Sequence, residues 1–88
     1  MNARMRREVA VAFGSVLRAA RQCAGLSQER LAEMSDLDRT YPSLMERGLR
    51  QPTLGVLLLL AGAVGVDPGL LVTMTANSLR KEVPSRET

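Results

Sequence analysis

The chain is poor in the residues that usually carry catalysis or hold metal ions. It contains no histidine, which is the commonest general base and the commonest metal ligand in proteins. Cys23 is its only cysteine, so neither a disulfide within the chain nor a cysteine metal cluster is available. We interpret Cys23 as a small apolar side chain. These absences predict a protein that is not an enzyme and that holds no metal or other cofactor.

Aromatic residues are also scarce, with one phenylalanine, one tyrosine and no tryptophan. Leucine, alanine, valine and methionine supply most of the 45% apolar fraction, a mixture that favours helices over strands. With 88 residues there is room for one domain around one modest core. The net charge of +3 permits an anionic partner without requiring one.

Long hydrophobic runs are missing too. The longest apolar run, Leu54 to Val66, is much shorter than the roughly 20 residues that a membrane-spanning helix needs. The N-terminus has basic residues before an apolar patch, but Arg18 and Arg21 follow at once without a cleavage-like site. We therefore expect a cytoplasmic protein without membrane contact. So short a chain shows no evident small-molecule site.

Glycines and capping residues divide the chain into five short helices. Apolar residues recur at helical spacing from Val9 onward, and the glycines suited to ending helices are Gly25, Gly48 and Gly65. Residues suited to capping a helix N-terminus precede four of the helices: Ser27, Asp38, Thr53 and Asp67. This punctuation predicts an all-α domain over residues 9–81, a basic N-terminal arm at 1–8 and a flexible tail at 82–88.

Two of these helices are joined by the three-residue turn "SDL", and an arginine leads the second one. This arrangement is typical of a helix-turn-helix unit that reads DNA. The turn needs a residue that tolerates a left-handed backbone, and Asp36 is acceptable there.

The stretch "GLSQERLAEMSDLDRTYPSLMERGLRQPTL" is similar to the Xre family of bacterial and phage regulators, which includes the Cro and C1 repressors. The run "LDRTY…ERG…PTL" especially resembles the controller proteins of restriction–modification systems. The similarity extends from about Phe13 to Val72 and rests on an ordered set of residues: Gly25, Ser27, Gln28, Ala32, Leu37, Glu46, Gly48, Pro52 and Leu54. It implies a compact five-helix, Cro/C1-repressor-like DNA-binding domain.

The resemblance also implies which residues contact double-stranded DNA. Gln28, at the start of helix 2, corresponds to a phosphate contact, and Arg39 is the best candidate for bidentate pairing with guanine. The implied contact set is Gln28, Arg39, Thr40, Tyr41, Ser43, Leu44, Arg47 and Arg50. In the family, the residues at Arg21 and Glu46 form a buried ion pair that ties helix 1 to helix 3.

Pro42 departs from the family pattern, which has isoleucine or valine at this position. A proline in the middle of a helix costs roughly 3 kcal/mol, whereas one in the unbonded first turn costs little. We therefore expect helix 3 to start late, with Arg39 and Thr40 on a non-helical lead-in.

Helix 4 is apolar on all sides, which indicates that both of its faces are buried. One small domain cannot cover both, so we expect a homodimer. Helix 5 is the usual dimer element in the family, and the predicted interface residues are Val56, Leu59, Leu70, Leu71 and Met74. The hypothesis is a sequence-specific transcriptional regulator that binds a pseudo-palindromic operator as a homodimer. The alternative is an antitoxin-like or other protein-interaction module that keeps the fold without the DNA contacts.

Overall fold

A computed structural model describes residues 1–82 of the chain, and this part contains five α-helices and no strand. The helices are α1 (Ala3–Cys23), α2 (Gln28–Met34), α3 (Tyr41–Glu46), α4 (Leu54–Val64) and α5 (Pro68–Glu82). Helix α1 packs against α3 and α5, while α2 and α3 form the helix-turn-helix. The predicted all-α class is therefore confirmed.

Helix α1 begins earlier than the sequence suggested. The side chain of Asn2 accepts a hydrogen bond from the backbone N–H of Met5 at 2.8 Å and caps the helix. Arg4 and Glu8, one turn apart, form an exposed ion pair at 3.2 Å. Residues 3–8 are thus the first turns of α1 and not part of a separate basic arm, so that prediction is wrong. The predicted tail differs as well, since α5 includes Glu82 and the remainder lies outside the described residues.

Three of the predicted N-caps are confirmed. The side chains of Ser27, Thr53 and Asp67 each accept a hydrogen bond from the backbone N–H three residues later, at 3.0 to 3.2 Å. The turn between α2 and α3 contains Asp36 with φ at 56°, the left-handed conformation that the sequence required there. These local signals set both ends of α2 and the N-terminal ends of α4 and α5.

The core lies where α1, α2, α3 and α4 meet. Its side chains are almost entirely aliphatic: Phe13, Leu17, Leu31, Met45, Leu57, Leu60 and Val64. A smaller adjoining cluster of Val16, Ala61 and Leu71 joins α5 to α1 and α4. Leu71 has no exposed surface. It therefore belongs to the core of its own chain and is not available to a partner, contrary to its place in the predicted interface.

The backbones of α1 and α3 come into close contact where the two helices cross, because α1 carries a glycine at that point. A Cβ atom on Gly14 would overlap the carbonyl oxygen of Met45 and would lie 2.9 Å from that of Glu46. Only a residue without a side chain lets the two backbones approach this closely. Gly14 thus determines how deeply the C-terminal end of α3 sits against α1.

Candidate nucleic-acid interface

Helix α3 starts late, as expected from Pro42. Its first residue is Tyr41, and Arg39 and Thr40 form a turn ahead of it. Pro42 therefore occupies the second helical position, where its missing N–H breaks no intrahelical bond. The side chain of Pro42 is fully buried, so it still fills the apolar position that faces inward.

Asp38 organises this lead-in, although it does not cap α3 as predicted. Its carboxylate accepts hydrogen bonds from the backbone N–H of Thr40 at 2.9 Å and from the Thr40 hydroxyl at 2.6 Å. The bond from the Thr40 hydroxyl has the larger effect in lowering the pKa of Asp38, and the bond from the Thr40 backbone N–H lowers it further. The residue at the N-cap position is Thr40, whose own side chain makes no capping bond. The carboxylate thus closes a local turn two residues before the helix.

Most of the implied DNA-contacting residues lie in α3 or directly beside it. Arg39, Thr40 and Arg47 are exposed, while Tyr41, Ser43 and Leu44 are half-buried. The inward positions are taken by Pro42 and Met45. The exposed residues next to α3 are thus Arg39 and Thr40 before its first turn and Arg47 directly after its last residue.

A buried ion pair anchors the far end of α3. The Nε and Nη2 atoms of Arg21 donate to the two carboxylate oxygens of Glu46 at 2.7 and 3.0 Å, a bidentate geometry. The Glu46 side chain is fully buried and that of Arg21 is 12% exposed. The third donor of Arg21, Nη1, bonds the carbonyl oxygen of Leu26 at 2.8 Å. One guanidinium therefore joins α1, the approach to α2 and the end of α3.

Two further side chains complete this cluster. The amide of Gln28 donates to Glu46 Oε1 at 3.0 Å, and the guanidinium of Arg18 lies 3.5 Å from the same oxygen. An amide nitrogen has two N–H donors, so Gln28 keeps one for another acceptor while Glu46 fixes its orientation. Arg18 was not among the predicted site residues. Its position three residues before Arg21, on the same helix face, is the signal that could have identified it.

The electrostatics of Glu46 follow from these contacts. Burial alone would raise its pKa, but hydrogen bonds from Arg21, Gln28 and Arg18, together with the charge of Arg21, lower it below the usual value. The hydrogen bond between Arg21 and Glu46 also raises the pKa of Arg21, despite the opposing effect of the burial of Arg21. Glu46 is thus held as a carboxylate. The cluster of Arg18, Arg21, Gln28 and Glu46 is thus a structural clamp, in which the carboxylate of Glu46 is already paired with the guanidinium of Arg21.

The loop between α3 and α4 continues the basic surface. Arg50 is exposed there, two residues beyond Gly48. The hydroxyl of Tyr41 approaches the carbonyl oxygen of Gln51 at 3.4 Å, which places the first turn of α3 beside this loop. Arg39, Arg47 and Arg50 therefore lie at the start of α3, at its end and in the following loop.

The residues predicted for the dimer interface have different environments. Leu59, Leu70 and Met74 are exposed on α4 and α5, whereas Val56 is half-buried against the core. Leu54 and Leu58, which were not among the predicted interface residues, are 73% and 52% exposed. The helical period of α4, with Leu57, Leu60, Ala61 and Val64 facing inward, is the signal that could have identified them.

Among the side chains of residues 1–80, no group of three or more cysteine, aspartate or glutamate residues is arranged to hold a metal ion. No single helix within residues 1–82 is long and apolar enough to cross a membrane. Helices α4 and α5 together meet the length and composition limits but are bent by 106° at the break between them.

Comparison with known proteins identifies this arrangement. The helix-turn-helix family model HTH_3 matches residues 17–71. The control protein C.BamHI of Bacillus amyloliquefaciens is 38% identical over 72 residues, which cover 81% of this chain and 89% of the relative. The crystal structure of the restriction-modification controller protein C.AhdI from Aeromonas hydrophila superposes with a TM-score of 0.68 at 47% identity. That superposition covers 70% of this chain and 94% of the controller.

Some relatives are longer. An uncharacterized HTH-type transcriptional regulator of Mycobacterium tuberculosis is 41% identical over 58 residues, which cover 66% of this chain and 41% of the relative. The matched part thus spans about two fifths of that regulator's length.

Proposed function

This chain belongs to the Xre (Cro/C1-type) helix-turn-helix family of transcriptional regulators, and from that premise we propose that it acts as a homodimer on a pseudo-palindromic operator. The family consists of DNA-binding regulators and not of enzymes, in agreement with the lack of catalytic residues in the sequence. We also propose that the protein is cytoplasmic, because a bacterial regulator meets its operator there.

In this proposal α3 enters the major groove and Arg39 reads a base. The side chain is exposed, and the turn closed by Asp38 and Thr40 holds its backbone just ahead of the helix. A guanidinium in that position is suited to a bidentate contact with guanine, worth about 1–3 kcal/mol of discrimination against other bases. Thr40, Tyr41, Ser43 and Leu44 would complete the surface against the groove, with base edges and thymine methyl groups as their partners.

Phosphate contacts would position the helix and supply much of the affinity. Gln28 suits this role because its contact with Glu46 orients the amide and leaves one N–H available. Arg47 and Arg50 are exposed at the end of α3 and in the following loop, where they would meet the backbone of the duplex. We expect binding to weaken steeply with salt as a result.

The exposed face of α4 supports the dimer. This face carries only Leu54, Gly55, Leu58, Leu59 and Gly62, without a polar or charged side chain. Leu70 and Met74 on α5 add 48% and 36% exposed apolar side chains. Apolar surfaces of this extent are uncommon on monomers. We therefore assign the interface to Leu54, Leu58, Leu59, Leu70 and Met74, with Val56 beneath them and Leu71 in the core.

The observation that carries the proposal is the exposed arginine at the start of an α3 that is clamped to the rest of the domain. Its test is selection from a randomised duplex library at about 0.15 M salt, followed by sequencing. We expect the wild type to enrich an inverted repeat and Arg39→Ala to lose the preference at one position of each half-site. Arg30→Ala is the matched control, because Arg30 is an exposed arginine paired with Glu33 on α2.

Three results would contradict parts of this proposal. A library without enrichment would favour a protein-interaction module in place of an operator-binding regulator. Enrichment of a single half-site, together with a light-scattering mass of one chain, would remove the homodimer. An inverted repeat whose sequence is unchanged by Arg39→Ala would assign base recognition to another side chain.

A further inference from the structure

The first turns of α1 form a basic surface that the proposed contact set leaves unused. Helix α1 carries five arginines and one carboxylate: Arg4, Arg6, Arg7, Arg18, Arg21 and Glu8. Arg18 and Arg21 pair with Glu46, and Arg4 pairs with Glu8. Arg7 is exposed, and none of the ion pairs among the side chains of residues 1–80 involves it. The surplus positive charge of the helix is thus at Arg7 and its neighbour Arg6.

Contacts along α1 show where these turns lie. From its C-terminal end, α1 meets Glu46 through Arg21 and then touches the end of α3 through Gly14. One turn further towards the N-terminus, Val11 packs closely on Gly48. A Cβ atom added to Gly48 would lie 2.8 Å from the side chain of Val11. Beyond that, the carbonyl oxygen of Arg6 accepts a hydrogen bond from the Gln51 side chain at 3.1 Å. Helix α1 therefore runs past the C-terminal end of α3 and along the α3–α4 loop.

Helical geometry then places the Arg7 side chain. Residues 7, 11, 14 and 18 follow the alternating four- and three-residue spacing that puts side chains on one face of a helix. Since Val11, Gly14 and Arg18 all face α3 or its loop, Arg7 extends that face by one turn, about 5.4 Å. The opposite face of these turns is occupied by α5, where Val9 and Leu79 line a common apolar pocket.

We propose that Arg7 contacts a DNA phosphate, so that the first turns of α1 extend the basic surface formed by Arg47 and Arg50 in the adjacent loop. This inference rests on the proposed entry of α3 into the major groove. A duplex held by α3 presents its phosphates to the loop that follows the helix, and Arg7 lies on the α1 face beside that loop. These turns lie outside residues 17–71, the region that matches the family.

The contact has a measurable signature in the salt dependence of binding. Each phosphate neutralised by an arginine contributes about −0.9 to the slope of log K against log salt concentration on duplex DNA. Loss of one such contact makes the slope shallower by about 0.9 and weakens binding about fivefold at 0.15 M salt. Because a phosphate carries no base identity, specific and non-specific duplexes should lose the same factor.

The experiment compares the wild type, Arg7→Gln and Arg80→Gln by fluorescence anisotropy from about 0.05 to 0.3 M salt. Each variant is titrated with the selected operator and with a scrambled duplex. Arg80 is the matched control, since it is an exposed arginine on α5 that bonds Asn77 within its own helix. Glutamine and arginine have similar helix propensities, and circular dichroism would verify that each variant stays folded.

We expect Arg7→Gln to reduce the slope by about 0.9 on both duplexes and Arg80→Gln to leave it unchanged. Equal slopes for Arg7→Gln and the wild type, with operator binding intact, would overturn the Arg7 contact and leave the proposed function standing. Equal losses for both variants would also overturn it, because they would indicate a general effect of net charge. A wild type that binds neither duplex would refute the proposed function and this inference with it.

Discussion

Glu46→Gln is the substitution that most directly tests the clamp on α3. The wild-type carboxylate accepts from Arg21 and Gln28 and lies close to Arg18, with no exposed surface of its own. A neutral amide has nearly the same shape but offers one acceptor oxygen, and it places an NH₂ group against the Arg21 guanidinium. Arg21 would then keep its charge in a site where 12% of its side chain reaches water.

The expected cost follows from this geometry. Removing one partner of a buried ion pair typically destabilises a protein by about 3–5 kcal/mol. We take the lower value, about 3 kcal/mol, because Arg21 keeps some solvent contact and its bond to the carbonyl oxygen of Leu26. For a domain of this size each kilocalorie lowers the melting temperature by about 4–8 °C, so the variant should melt roughly 12–24 °C below the wild type.

Thermal and urea unfolding followed by circular dichroism would measure the change in the free energy of unfolding. Glu33→Gln is the matched control: the same substitution in the Arg30–Glu33 pair, whose side chains are 59% and 70% exposed. An exposed pair contributes about 0–1 kcal/mol, so this variant should unfold close to the wild type. A Glu46→Gln cost as small as that of Glu33→Gln would refute the reasoning, because it would mean that solvent screens the clamp.

Three other predictions concern the acid stability of the clamp, the crossing of α1 and α3, and the turn between α2 and α3. The lowered pKa of Glu46 means that the folded state binds this proton less readily than the unfolded chain does. The stabilising effect of the carboxylate is therefore present above the ordinary glutamate pKa of about 4.3 and is lost as the pH falls through the folded-state value. In an acid titration, the Glu46→Gln variant should lose less stability than the wild type. Gly14→Ala should lower the free energy of unfolding by about 1–3 kcal/mol, because the new methyl group forces α3 away from α1. Gly62→Ala has open space around the new methyl group, so it should be neutral or stabilise the fold by up to about 1 kcal/mol. Thermal melts at low protein concentration would measure both changes. Asp36→Gly should stabilise the turn by roughly 0.5–1 kcal/mol, since glycine adopts the observed φ of 56° without strain; a lower urea midpoint would contradict this account of the turn.

Features set by a few neighbouring residues could be predicted from the sequence. A serine, threonine or aspartate just before an apolar helix caps it through its own side chain, and Ser27, Thr53 and Asp67 do so. Pro42 delays α3 because a proline lacks the N–H that a helix needs after its first turn. In both cases the cause acts within one helical turn, so the sequence contains it.

Features that depend on how helices rotate against each other could not be predicted. Leu71 lies next to Leu70, and only the packing of α5 on Val16 and Ala61 decides that Leu71 enters the core while Leu70 stays exposed. The hydrogen bond from Gln51 to the carbonyl oxygen of Arg6 joins residues 45 positions apart. Such contacts follow from the whole fold, in which Gly14 sets the distance between α1 and α3.

The distribution of contacts along α3 suggests how the proposed readout would work. A six-residue helix is far shorter than the roughly 12–15 residues that make an isolated helix even marginally stable, so tertiary contacts must hold α3 in place. Those contacts are concentrated from Pro42 to Glu46. The preceding turn, with Arg39 at its centre, is closed by the bonds from Thr40 to the Asp38 carboxylate and by the backbone bond from the Tyr41 N–H to the Asp38 carbonyl oxygen at 3.0 Å. We therefore expect the clamp to fix where α3 meets the duplex, while the orientation of Arg39 towards a base depends on Asp38.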